Sequence, residues 1–347
     1  MLTQIYSRFL FLSKTDVAFI IFMLMLSLTY YYQVSKTLTP VWDSVVYMAN
    51  AHGWLNREPL LEIFRPPLIS WIISAIWMIS GESSNIIKYL QMAFTIGSGF
   101  ILYIALKKNK NNRFAFGVSA LTMLNSWILV TSSQILTEGM SLFFVVLTLY
   151  FVKSQSPRNW ILAGISIGLT FASRYPVVLQ SLSILVVESL IQKNPKILTY
   201  ALKVMVPIVA IVVFIVYLKT GTFQTALAKD AVFTPFLSPF YVTHSIDIWG
   251  VAFVLAPIAF LFQKTYDDKN NYTYIIWFLI SIIFWSANSS NYQERFAIQF
   301  TPAVYYLAVL SLENIIKTRM KLKDLVLGKV YEKGKHLRAR RTTIRKE

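Results

Sequence analysis

Ten apolar runs divide this chain, at residues 16–34, 84–106, 114–133, 136–153, 159–174, 177–192, 198–218, 247–263, 273–288 and 297–316. A hydrocarbon layer of about 30 Å takes about 20 residues of helix, so runs of near-spanning length predict an all-α, polytopic membrane helix bundle of about ten spans. With 56% hydrophobic and 14% charged residues and a mean hydropathy of +0.54, an ordinary soluble domain is excluded. The chain has no cysteine, which removes disulfides and thiolate metal sites and leaves the compartment open. The opening MLTQIYSRFLFLSKTD lacks a short apolar core followed by a small-residue cleavage site, so 17–34 is expected to be a retained anchor.

One further apolar run, 67–80, is too short to cross and fixes the topology of everything after it. It is bounded by Arg65-Pro66-Pro67 and Ser80-Gly81, a helix start and a helix stop. Read as interfacial, it leaves the basic connections on one side: Lys107, Lys108, Lys110 and Arg113, then Lys153 with Arg158, Lys193 with Lys196, and Lys264 with Lys269. Lysine-rich short loops mark the cytoplasmic side. Much of the +17 net charge lies after residue 316, so 1–316 is expected as the membrane domain and 317–347 as a basic cytoplasmic tail. Such tails meet anionic headgroups, and no nucleic-acid partner is expected. The opposite side holds the outer loop 35–83, Thr137-Glu138, Arg174-Tyr175-Pro176, the longer loop 219–246 and 288–295. Tyr30 to Tyr32, Trp42, Trp77, Trp160, Trp249 and Trp285 fall near span ends and read as an aromatic belt. Gly164 and Gly168 in AGISIGL read as a close helix approach.

The outer side carries the residues able to do chemistry. In WDSVVYMANAHGWL, Asp43, Tyr47, Asn50 and Trp54 form one helical stripe, the pattern of a helix lying at a water–lipid boundary. Asp43 either caps a helix starting at Ser44 or takes a proton from an acceptor hydroxyl or amine. Tyr47, one turn on, is expected beside the substrate. Glu138 either complements a helix N-terminus or acts with Asp43, orienting the acceptor, pairing with an arginine or sharing a divalent cation, the one cofactor the arrangement admits. Arg65 and Arg174 either snorkel to headgroups or grip the phosphate of a lipid-linked substrate. Arg295 is a third cation, with Glu294 beside it as a neutralising neighbour. His52 and His244 fall outside this set. A lipid phosphate leaves a sugar carbon as a stable anion, so cations and one carboxylate are a sufficient minimum for such a transfer.

The segments WDSVVYMANAHGWL, RPPLISWIISAIWMISGESSNIIKYLQ, TSSQILTEGMSLFF, AGISIGLTFASRYPVVL and ERFAIQFTPAVYYLAVL, in this order, resemble the GT-C superfamily of membrane glycosyltransferases. The branch with protein O-mannosyltransferases and the lipid A aminoarabinose transferase is the nearest in pattern. The resemblance runs over residues 16–192 and the late segment. It implies an essential aspartate at Asp43, an acid of the second outer loop at Glu138, and basic residues at Arg65 and Arg174. It also implies a polyprenyl- or dolichyl-phosphate sugar donor, a protein or lipid/glycan acceptor, and inversion at the anomeric carbon. Many relatives carry Asp-Glu in the first loop where this chain has Asp43-Ser44, which weighs against a metal bridged by that pair. A transporter or lipid-linked sugar flippase, or a non-catalytic scaffold on the same fold, is the alternative. Transporters place ionisable groups mid-membrane, and here Glu188, near an inner end, is the main such residue.

Overall fold

A computed structural model describes residues 12–37, 42–222, 238, 240–287 and 293–320. The first helix, α1 (Lys14–Lys36), opens with a reciprocal cap. Ser13 Oγ accepts from the Asp16 amide, and Asp16 Oδ2 accepts from the Ser13 amide at 2.9 Å. The chain continues through α2 (Trp42–Leu55), α3 (Leu68–Ser80), α4 (Ser84–Lys107), α5 (Asn112–Met123) and α6 (Ser126–Ser132). Then come α7 (Glu138–Val152), α8 (Pro157–Ser173), α9 (Val178–Ile191), α10 (Lys196–Thr220), α11 (Asn271–Ala287) and α12 (Glu294–Met320). No strand occurs among the described residues, as the apolar pattern predicts.

Four helices are long and apolar enough to cross a membrane by themselves: α1, α4, α10 and α12. The single span expected at 114–133 is instead two helices, α5 and α6, bent by 59°. Asn125 causes the break. Its Oδ1 accepts from the Trp127 and Ile128 amides and restarts the helix, while its Nδ2 donates to the Ile248 carbonyl at 2.6 Å. The run at 247–263 is also broken, into Ser245–Trp249, Ala252–Ile258 and Ala259–Leu261. Gly250, at φ 58°, ends the first piece, and Pro257 removes a backbone donor from the second. The helices α7, α9 and α11 are shorter apolar elements that complete the bundle. Most of loop 219–246, with Asp230, and the tail beyond Met320 lie outside the described residues.

The centre of the bundle is α7. It is buried on nearly every side, against α4, α8, α9 and the start of α12. In lipid, helices associate through close packing rather than through exclusion of water. Gly164 supplies this between α8 and α10: a Cβ there would stand 2.3 Å from the Ala201 carbonyl oxygen. Gly139 does the same between α7 and α4, where a Cβ would meet Thr95 Oγ1 at 2.3 Å. The aromatic belt needs correcting. Trp77, Trp160, Trp249 and Trp285 are 3–7% exposed and pack inside the protein, whereas Tyr31 and Tyr32 are more than half exposed.

The outer loop folds in an order that the stripe alone does not reveal. Ser70 Oγ donates to the Tyr47 carbonyl and Ser74 Oγ to the Ala51 carbonyl, at 3.0 and 2.8 Å. Both pairs span 23 residues, so α2 and α3 run side by side in the same direction, and 56–67 crosses back between them. The crossing is pinned by Asn50, whose Nδ2 donates to the Glu62 carbonyl and whose Oδ1 accepts the Glu62 amide. Beyond Asp43, the polar stripe of α2 therefore faces protein. Tyr47 and Asn50 are 4% and 2% exposed, and Trp54 meets Trp71 edge-on at 5.6 Å. The turn ends as expected: α3 stops at Gly81, whose φ of 72° suits glycine. Its 13 residues amount to about 20 Å of helix, short of a crossing.

Candidate active site

Because α2 and α3 are parallel, Asp43 at the start of one comes beside Arg65 just before the other. Arg65 Nη2 donates to Asp43 Oδ1 at 2.9 Å, and Arg65 Nε to Glu62 Oε2 at 2.6 Å. The ring of Tyr47 lies 5.8 Å from the same guanidinium. The other Asp43 oxygen, Oδ2, accepts from Arg295 Nη2 at 2.5 Å, across 252 residues of chain. Arg295 stands in the first, 3-10 turns of α12, at the same end of the bundle as the N-terminus of α7. Its Nε donates to Gln293 Oε1 and lies 3.6 Å from Glu138 Oε1. Glu138 Oε1 in turn meets Arg174 Nη1 at 2.6 Å, where α8 ends. Arg174 also faces the ring of Phe296 at 4.4 Å, and Phe296 stacks on Trp285.

The result is a continuous chain of alternating charge: Glu62, Arg65, Asp43, Arg295, Glu138, Arg174. All six candidate residues meet here: Asp43, Glu138, Arg65, Arg174, Tyr47 and Arg295. Two expectations change. Helix α2 starts at Trp42, so Asp43 lies inside its first turn and does not cap a helix at Ser44; its oxygens are taken by guanidiniums. Glu294 makes no ion pair with Arg295 among the described residues, because adjacent helical residues point apart. Glu62, Gln293 and Phe296 belong to the site and were not singled out from sequence. Glu62 could have been, since a carboxylate three residues before Arg65 is in reach of it.

Exposure along this chain of charges is highest at Arg65 and lowest at Glu138. Side chains are 23% exposed at Arg65, 19% at Arg295, 13% at Asp43, 11% at Arg174 and 2% at Glu138. A ligand reaches the Arg65–Asp43–Arg295 end first. Glu138 lies behind it and pairs with arginine, one of the roles open to it. Burial raises the Asp43 carboxyl, but the Arg295 and Arg65 guanidiniums outweigh it and hold the group below its ordinary 3.8. Burial pushes the Tyr47 phenol above its ordinary 10.0 despite Arg65, so that ring stays neutral.

The ionisable residues at the far end of α7, about 22 Å away, form a separate set. Lys153 Nζ lies 2.8 Å from Glu188 Oε1, with both side chains 2% exposed, and Thr273 Oγ1 donates to Glu188 at 2.7 Å. Lys110 pairs there with Asp268 at 2.6 Å. Glu188, the residue that favoured a transporter, is thus fully compensated by its neighbours.

Known proteins resemble this chain in part of its sequence and in its helical scaffold. A family described as dolichyl-phosphate-mannose-protein mannosyltransferase matches residues 64–219, which carry Arg65, Glu138 and Arg174. ArnT from Cupriavidus metallidurans, solved bound to undecaprenyl phosphate, superposes with a TM-score of 0.72 at 12% identity over 87% of this chain and 61% of that one. The oligosaccharyltransferase AglB from Archaeoglobus fulgidus, solved with an inhibitory peptide and a dolichol-phosphate, gives 0.55 at 13% identity over 88% and 51%. The same organism's oligosaccharyltransferase, in complex with Zn and sulfate, gives 0.53 at 14% identity over 86% and 49%. This chain therefore spans about three-fifths of ArnT and about half of the oligosaccharyltransferases. No curated protein matches it in sequence. The family match over residues 64–219 and the shared helical scaffold together show that this chain has the fold of these membrane enzymes.

Proposed function

We propose that the chain transfers a sugar from a polyprenyl- or dolichyl-phosphate donor to a protein or lipid/glycan acceptor, with inversion. The observation carrying this is Asp43 held between Arg65 and Arg295 at the accessible end of the site. In the reaction, Asp43 takes the proton from the acceptor hydroxyl or amine. The acceptor atom bonds to the anomeric carbon from the face opposite the phosphate. The bond from that carbon to the phosphate oxygen breaks, and its electron pair leaves with the lipid phosphate. Guanidiniums of Arg65, Arg295 and Arg174 suit the charge developing there, since a planar fork matches paired phosphate oxygens. Tyr47 and Phe296 hold two of those arginines from below.

The resting network balances three carboxylates against three guanidiniums, so a donor phosphate enters by exchange. As it draws Arg65 and Arg295 from Asp43, the aspartate loses the cations that suppress its basicity, and the base is released when donor is bound. The undecaprenyl and dolichol phosphates held by ArnT and AglB support a lipid donor of this type. We further place the site, with loop 35–83, on the non-cytoplasmic face of the cell membrane, with the Lys107–Lys110 and Lys153 connections and the basic residues after 316 cytoplasmic.

The test is incubation of the purified chain in lipid nanodiscs with labelled polyprenyl-phosphate sugars and membrane extract, followed by mass analysis. A glycosylated product with released lipid phosphate, both lost in Asp43→Asn, is expected. Donor that crosses the bilayer without any covalent product would make the chain a flippase and overturn the proposal.

A further inference from the structure

The fold's relatives include one solved with Zn, and two facing carboxylates are the usual seat of such an ion. Asp43 and Glu138 are the two acids at the heart of this site, yet they do not fit a shared metal. Mg2+ and Ca2+ take six or more oxygens at about 2.0–2.6 Å, and Zn2+ takes about four N, S or O ligands. Here Asp43 Oδ1 faces Arg65 and Asp43 Oδ2 faces Arg295, while Glu138 Oε1 faces Arg174 at 2.6 Å and Arg295 at 3.6 Å. No group of three His, Cys, Asp or Glu side chains gathers anywhere among the described residues. Among the described residues, the group that reaches both acids is the Arg295 guanidinium.

We infer that Arg295 is the built-in cation of this site, occupying the position a divalent metal shared by Asp43 and Glu138 would take. Two features support it. The guanidinium bridges carboxylates from two elements, α2 and α7, which is the structural work of a bridging metal. It is anchored by Gln293, its own near neighbour, so it needs no exchange with solution. A second cation next to three guanidiniums would meet strong repulsion in this half-buried site.

The inference concerns the site just proposed for transfer, but its main test does not depend on activity. Mn2+ is titrated into the purified full chain in detergent and followed by its electron paramagnetic resonance signal. Expected are no site-bound Mn2+ in the unaltered protein and none in Arg295→Lys, which keeps a cation. Binding should appear in Arg295→Met and be lost again in Arg295→Met with Asp43→Asn. Mn2+ bound to the unaltered chain and released by Asp43→Asn overturns the inference, as does an Arg295→Met variant that folds and binds none. Should Arg295→Met fail to fold, the unaltered chain and Arg295→Lys still decide, since site-bound Mn2+ in either overturns it. In the transfer assay, a chelator is expected to leave the rate of the unaltered chain unchanged, and loss of transfer on chelation also overturns the inference. Absence of transfer in every sample, with the Mn2+ results as expected, removes the proposed function and leaves this inference standing.

Discussion

Asp43 and Arg65 belong to helices that run in the same direction, and their side chains meet at 2.9 Å because the connection between those helices doubles back. The second guanidinium on Asp43, that of Arg295, comes from the other end of the chain.

Asp43→Asn keeps the shape of the side chain and removes the proposed proton acceptor. Transfer should fall about a hundred- to ten-thousand-fold, the range for loss of a general base. Product formation in nanodiscs measures it. The variant should still elute as a monodisperse species in detergent, which separates lost chemistry from lost folding.

The depressed Asp43 carboxyl fixes a pH dependence. Its folded value lies below 3.8, so its contribution to stability is complete above 3.8 and is lost as pH falls from there through the folded value. Thermal unfolding in detergent should therefore show an acid-labile component below that pH, reduced in Asp43→Asn. In the donor-free protein, Asp43 should stay ionised throughout the neutral range.

Glu138 is the most buried member of the network, 2% exposed against Arg174 at 11%. Glu138→Gln leaves Arg174 without its partner and should cost about 3–5 kcal/mol, the usual result of breaking a buried pair. Glu138→Gln with Arg174→Met should cost less than the two single changes added together. A double-mutant cycle on unfolding temperature in detergent measures that coupling.

Gly139 lets α7 approach α4 immediately beside Glu138. Gly139→Ala puts a Cβ 2.3 Å from Thr95 Oγ1 and should cost about 1–3 kcal/mol through overpacking. Adding Thr95→Ala removes the clashing oxygen and should restore much of the stability. Recovery of the unfolding temperature in the double variant is the measurement.

Lys153→Met breaks the pair with Glu188 at the far end of α7. It should lower the unfolding temperature while leaving the response of transfer to donor concentration unaltered, because about 22 Å of helix separates it from Asp43. Donor titrations on the variant and the unaltered chain test the separation.

Much of this was legible in the sequence because charge is rare in it. An ionisable side chain at the edge of an apolar run stands out, and so Asp43, Arg65, Glu138 and Arg174 were all visible. The lengths of apolar runs also gave the short α3. Pair identities were not legible. Arg295 looked neutralised by Glu294, since sequence shows adjacency but not which way a side chain points. The break at Asn125 was hidden inside a continuous apolar run, because one capping amide changes the path without changing hydropathy. The tryptophans misled for a related reason: an indole near a span end has the same local context whether it faces lipid or a neighbouring helix.

The 252 residues between Asp43 and Arg295 also impose an order on biosynthesis. Asp43 and Glu138 leave the ribosome long before the segment that neutralises them, and chains are made from the N-terminus at about 5–20 residues per second. For many seconds the nascent protein carries two carboxylates at the membrane with part of their countercharge still untranslated. The centre closes only when α12 docks, so a message cut short before α12 would yield a chain with most of the described helices and an incomplete candidate site.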